Sequence, residues 1–266
     1  MTQYLDQLYF DRESKQMHYV LGAAYGCASY DSWLGITFRS NKRNLVEIIK
    51  DEIKSKHIIE DKRPKHHSYW IETDNADYMR YRLHERGVAE DKHQRKFPKN
   101  IKEEYLSHFV RGFFDAKANV SSKGGRTHIT FNFNNRFLLG LHGILVKYAG
   151  VTRSKPTDDY LTYGHSDSLK IHDFIYSDWK YIRRNGLYLP SKKRKFNFDY
   201  EPKEYPSTIR YHKKIERAKK LLLKGLPHKE TAEAVGYSNV FSFYRGFKNL
   251  TGMTTREFQG KKRENK

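Results

Sequence analysis

Residues Tyr19–Tyr30 read YVLGAAYGCASY, and further on His108–Asn119 read HFVRGFFDAKAN, with Gly112 ninety positions after Gly22. With Gly22 and Gly112 in register, each stretch predicts a helix. Gly22, Ala23 and Gly26 in the first copy, and Gly112 in the second, lack the bulk that keeps two helix backbones apart. Phe109, Phe113 and Phe114 supply apolar mass for a core on the second helix. A single glycine is tolerated in many helices, but two in matching register within matching units point to a close crossing of the pair.

The duplication continues on both sides of this match. After the first copy an alternating strand ends at Ser40, the pattern of Asn44–Lys54 predicts a helix with Leu45, Ile48, Ile49 and Ile53 apolar, a turn at Pro64 leads to a strand at Ser68–Thr73, and Asp77–Arg86 closes the unit as a helix. In the second copy Arg126–Asn134 alternates, Arg136–Ala149 is helical, Tyr160–Gly164 is a short strand and Ser168–Ser177 is the closing helix. The order is helix, hairpin, helix, hairpin, helix, twice over.

The two motifs resemble the LAGLIDADG motif of homing endonucleases, and with the surrounding element order the resemblance covers residues 15–195. It implies an α+β fold of two pseudo-symmetric αββαββα repeats, over 1–103 and 104–199, forming a saddle-shaped sheet platform. In that family the eighth motif residue is an acid that holds a divalent metal at the scissile phosphate; here those places are Cys27 and Lys117. Hard cations want carboxylate oxygens, and neither a thiol nor an ammonium supplies one. At an assumed 4 Å and an effective dielectric of 20, a lysine charge opposes a divalent ion by about 8 kcal/mol. The acids near enough in sequence to substitute are Asp115 and Asp31, and Asp115 occupies a motif place where the family often carries a structural Asp. The resemblance therefore implies a scaffold without catalytic residues, and Lys117 is free to meet a phosphate.

Composition agrees with a nucleic-acid partner. Lys and Arg number 51 against 31 Asp and Glu, a formal charge of +20, and such an excess attracts a polyanion and releases its counterions. A mean hydropathy of -0.89 and the lack of a long apolar run argue against a membrane partner. One cysteine in 266 residues excludes an internal disulfide framework and fits a reducing cytoplasm. Thirteen His show no metal-ligand spacing, and no nucleotide-binding fingerprint is present, so we expect no metal and no cofactor. The basic run Ser191–Lys195 (SKKRK) reads as a phosphate-contacting or solvated stretch.

The strands provide a candidate reading face. Leu34, Ile36 and Phe38 fall on one side of the first and Thr37 and Arg39 on the other; Ile129, Phe131 and Phe133 oppose His128, Thr130 and Asn132 in the second. Thr37 matches Thr130, and Arg39 matches Asn132. Such side chains hydrogen-bond base edges from a strand, although any half-solvated sheet has a polar outer face.

Past residue 199 the texture changes. A linker is expected at 200–208, with two prolines and mixed charges, and a small all-α domain at 209–266. Ala232, Gly236, Tyr237, Phe243, Arg245, Phe247, Lys248, Gly252, Thr254 and Phe258 resemble the second helix-turn-helix of AraC-type transcription regulators. Gly236 suits the tight turn and Ser238 is a fitting N-cap. On the recognition helix the resemblance assigns Ser238, Asn239, Val240, Phe241, Ser242 and Arg245 to bases and Lys248 to phosphate; Phe241 could equally pack inside. WhiA-type regulators also join a LAGLIDADG-like domain to a helix-turn-helix. The expectation is a cytoplasmic, nucleoid-associated, monomeric, non-cleaving protein that binds double-stranded DNA at defined sequences and acts with the transcription machinery, with no small-molecule effector in evidence. The alternatives are a nuclease or nickase with displaced acids, and an accessory DNA-binding protein of recombination or mobile-element control.

Overall fold

The Ser14 hydroxyl accepts the Met17 amide at 3.0 Å, and this cap opens α1 (Lys15–Cys27). The computed structural model describes residues 5–30, 35–62, 68–152, 156–157, 159–199 and 206–260. Beyond α1 the chain makes a hairpin, β1 (Ala28–Tyr30) with β2 (Ile36–Ser40), then α2 (Arg43–Glu52), a second hairpin of β3 (Glu60–Lys62) and β4 (Ser68–Thr73), and α3 (Asp77–Glu85). Its antiparallel sheet runs in the order β1-β2-β4-β3.

The second half repeats this plan with one change. α4 (Glu103–Lys117) leads to a hairpin of β5 (Ala118–Lys123) and β6 (Arg126–Asn132), α5 (Asn135–Ile144) with a π-turn after it, β7 (Tyr160–Tyr163) and α6 (His165–Ile175). Among the described residues this sheet has three strands, β5-β6-β7, and where a second hairpin was expected there is one isolated bridge between Thr157 and Tyr160. Two short helices, α7 (Trp179–Arg184) and α8 (Pro190–Lys193), close the half. Asp31, Leu34 and Pro64 lie outside the described residues.

The two long helices α1 and α4 cross backbone to backbone. A Cβ built on Gly22 would overlap the Phe109 carbonyl oxygen, and one on Gly112 would overlap that of Tyr19. The clash is reciprocal because the halves are related by the ninety-residue repeat. At the next turn a Cβ on Gly26 would come to 2.7 Å from that of Ala116.

Each of these helices ends on a buried cation. Arg95 donates to the carbonyls of Ala24 (3.3 Å), Tyr25 (2.7 Å) and Ala28 (2.9 Å). Lys192 donates to Phe114 (2.6 Å), Asp115 (2.8 Å) and Ala118 (2.6 Å), the same three places ninety residues on. The last carbonyls of a helix have no partner within it and carry the negative end of its dipole, so a fixed cation answers both needs. Lys192 is thus part of the core, which corrects the reading of Ser191–Lys195 as a solvated or phosphate-contacting run for that one residue; Ser191, Arg194 and Lys195 are exposed. Burial lowers its ammonium to about 8, with Asp115 opposing the shift.

Contacts divide the chain into two units, Met1–Tyr200 and Glu201–Lys266. Residues 200–205 of the expected linker lie outside the described residues, and Pro206 already begins a helix. The second unit contains α9 (Pro206–Leu223), α10 (His228–Ala234), α11 (Val240–Thr251) and α12 (Thr255–Gly260). Its core is Ile215, Ala218, Leu222, Ala232, Val235, Phe243 and Phe247, all buried. Gly236 joins α10 to α11 at φ +77, a left-handed conformation that glycine adopts without steric cost. Its carbonyl accepts from Lys214 Nζ at 2.9 Å.

Candidate nucleic-acid interface

Period-two alternation sorts both sheets into a core face and an open face. In the first, Ile36 and Phe38 are fully buried, while Thr37 stands in a row with Ser29 and Glu72, and Arg39 in a row with Trp70 and Glu60. The Arg39 guanidinium lies 5.0 Å from the Trp70 ring centre. In the second, Ile129 and Phe131 are buried, and Asn119, Thr130 and Thr162 form an outward row with the two threonine hydroxyls 3.2 Å apart. His128 pairs with Ser121, Asn132 with Tyr160 and Arg126 with Lys123 on the same face.

Strand register brings Thr37 and Thr130 to equivalent places, opposite Ser29 and Asn119. The two faces differ in charge. No carboxylate occurs in the paired rows of the second, whereas Glu60 and Glu72 interrupt the first.

Cys27 and Lys117 sit at the last residues of α1 and α4. Burial pushes the Cys27 thiol up to about 12, with Lys117 pulling the other way, so it is protonated at neutral pH. Burial lowers Lys117, and Lys92 lowers it further; Lys92 is itself lowered by burial and by Arg95. Arg95 adds to the lowering of Lys117. A neutral thiol beside two ammonium groups does not fit a divalent metal, which needs anionic oxygens.

Asp115 is no substitute. It is buried, its Oδ2 accepts from Tyr19 Oη (2.8 Å) and the Leu189 amide (3.1 Å), and its Oδ1 is enclosed without a hydrogen bond. Burial pushes the carboxyl up to about 6 despite the nearby Lys192. The other acid considered, Asp31, lies outside the described residues.

Ser238 and Asn239 at the entry to α11, and Phe241, Ser242, Arg245 and Lys248 on it, are exposed, those on the helix opposite the buried Phe243 and Phe247. Two expectations change. The N-cap is Asn239, whose Oδ1 accepts the Phe241 amide at 2.7 Å, and not Ser238. Val240 is half-buried and packs on the domain core, because it opens the helix on the side of Phe243. Phe241 points outward, 75% exposed, with its ring edge-on to Tyr244.

Lys92 and Arg95 were not singled out in the sequence, and Lys192 only as one member of the run Ser191–Lys195. A signal existed, since each belongs to a basic stretch that follows the closing helices of its half, but charge there reads as solvated.

Comparison with known proteins returns two kinds of likeness. The sequence model of a family described as a helix-turn-helix domain matches residues 198–261. No curated protein matches the chain. Among solved structures, the homing endonuclease I-WcaI bound to its DNA recognition sequence is 11% identical with a TM-score of 0.46, covering 72% of this chain and 92% of that one. Full-length DUF199/WhiA from Thermatoga maritima is 14% identical with a TM-score of 0.44, covering 96% of this chain and 93% of its own. The I-LtrWI LAGLIDADG homing endonuclease bound to target DNA is 8% identical with a TM-score of 0.41, covering 65% and 89%. Among the described residues no helix is long and apolar enough to cross a membrane. The C-terminal unit of this chain is a helix-turn-helix domain.

Proposed function

We propose that this protein binds double-stranded DNA at a defined sequence, does not cut it, and regulates transcription. The observation that carries the reading is the exposed stripe of α11, where Ser242 and Arg245 stand free of the domain core beside the outward Phe241. An arginine there can take guanine O6 and N7 together, and a serine either base edge, while a phenyl ring can meet a thymine methyl. The acid-free face of the second sheet supports a further grip through His128, Thr130 and Asn132. Lys117 and Lys92 would neutralise backbone phosphate where the related fold holds metal. Because both halves lie in one chain, one monomer occupies a non-palindromic site.

The test is selection of bound duplexes from a random pool by the full-length protein, followed by incubation of the selected duplex in magnesium or manganese. The expected result is one enriched, non-palindromic site, intact after incubation, in a one-to-one complex by mass. An unenriched pool removes sequence recognition, and metal-dependent scission of the selected duplex restores the nuclease alternative.

A further inference from the structure

A row of cations runs along α9. Arg210, Lys213, Arg217, Lys220 and Lys224 follow one another at spacings of three and four residues, which places them on a single side of a helix. Lys224 continues the row past the last helical residue, since its amide still donates to the Lys220 carbonyl at 3.2 Å. All of them are exposed, and among the described residues none is in an ion pair. We propose that this row docks an acidic helix of a partner protein.

The domain itself gains nothing from the row, because like charges at these spacings repel one another. Glu216 is the only acid in the sequence of α9, and its Oε1 accepts from Lys219 Nζ at 2.6 Å, on the side away from the row. Neutralisation therefore has to come from outside the helix. A duplex held by α11 is badly placed to supply it. Ile215, Ala218 and Leu222, on the side of α9 opposite the row, share one core with Phe243 and Phe247 of α11. The exposed stripe of α11 lies opposite those two phenylalanines in turn. The two surfaces thus look outward from opposed sides of the same core. This choice of protein over duplex rests on the role proposed above for α11; the row does not.

Helical geometry also suggests the form of the partner. From Arg210 to Lys224 the row is about 21 Å long, at about 1.5 Å per residue, with a cation roughly every 5 Å. An acidic helix repeats its carboxylates at that same interval, so it can lie alongside and meet the cations in register. Leu223, exposed one turn beyond Lys220, adds an apolar contact near the end of the row. Exposed ion pairs contribute little singly. Complementary charge chiefly fixes approach and register, so matching spacing is what separates the partner from other acidic proteins.

The probe is an alanine-rich peptide of about 20 residues, long enough to form a helix alone, with glutamates at the spacing of the row. Its control is an isomer with the same glutamates spread evenly round the helix. Amide spectra of the full chain are recorded during titration with each peptide at about 0.15 M salt, where distant exposed charges are screened. Saturable shifts confined to the row and Leu223 are expected, with the isomer binding roughly tenfold more weakly. The double variant Lys213→Gln, Arg217→Gln keeps helix propensity and should also lose about tenfold in peptide affinity. Its affinity for the selected duplex, and the salt dependence of that affinity, should be unchanged. Equal binding of the two peptides, or shifts that do not saturate, overturns the proposal. A duplex salt slope lowered in the double variant overturns it as well and gives the row to DNA. If the chain selects no duplex at all, the reading as a DNA-binding protein fails while the peptide titration still decides the row.

Discussion

Replacing Lys192 by Met keeps most of the stem that packs beside Phe114 and removes the ammonium that closes α4. Three hydrogen bonds of 2.6, 2.8 and 2.6 Å are lost. Hydrogen bonds to a charged group contribute roughly 1.5–3 kcal/mol each, but their sum overstates the loss, because the desolvation cost of the ammonium disappears with it. Removing one member of a buried charge pair costs roughly 3–5 kcal/mol. We expect a loss of about 4 kcal/mol at pH 7, a large part of the roughly 5–15 kcal/mol that holds a domain folded. The loss should shrink toward pH 5, where Asp115, pushed up to about 6 by burial, takes a proton and no longer needs its neighbour. Urea unfolding followed by tryptophan fluorescence reads this unit alone, since Trp33, Trp70 and Trp179 all precede Tyr200. In an Asp115→Asn background the same substitution should cost about 1–3 kcal/mol less, the coupling expected of residues in contact. A loss below about 1 kcal/mol, or one indifferent to both pH and Asp115, would refute the reasoning.

Gly112→Ala should lower the melting temperature sharply, by more than about 2 kcal/mol of stability, because the Tyr19 carbonyl fills the space its methyl needs. Gly143→Ala, also helical but with nothing near its added carbon, should raise stability by about 0.5–1 kcal/mol. For Asp115 the folded carboxyl sits at about 6 against an ordinary 3.8, so the folded state binds the extra proton between those values. Its contribution is fully present below pH 3.8 and is lost as pH rises through 6, amounting to about 3 kcal/mol. The difference in unfolding free energy between natural protein and Asp115→Asn, measured at pH 4 and pH 7, should change by most of that amount. On the selected duplex, Arg245→Ala should cost about 1–3 kcal/mol and relax preference at one or two positions. Lys248→Ala should weaken all duplexes alike and lower the salt slope by about one; equal losses on specific and random DNA for Arg245→Ala would remove it from base reading.

The repeat was legible because a helix crossing needs a missing side chain on both partners, and Gly22 and Gly112 show that need in the letters themselves. Alternation likewise marked β2 and β6. By contrast β1 is three residues long and follows α1 without a break, too short for a period to register, and β5 begins directly after Lys117. The cap of α11 was misplaced by one residue because Ser238 and Asn239 are both capping types, and only the first helical turn decides between them. Arg95 and Lys192 stayed hidden for a deeper reason. A basic residue in a charged run normally faces water, and its burial here depends on carbonyls from a helix some seventy residues away in sequence.

The crossing of α1 and α4 also sets an order of events in synthesis. From Met17 to Cys27 every residue of α1 is buried, and much of what covers it is α4. A nascent chain that has made only its first half holds a helix that is apolar on all sides with its main partner still unmade. Contacts across such a separation form slowly, after the entropy of closing a long loop has been met. Until residue 117 has emerged, that helix is a sticky surface, and the growing chain must be shielded or diluted to avoid pairing with the α4 of another copy.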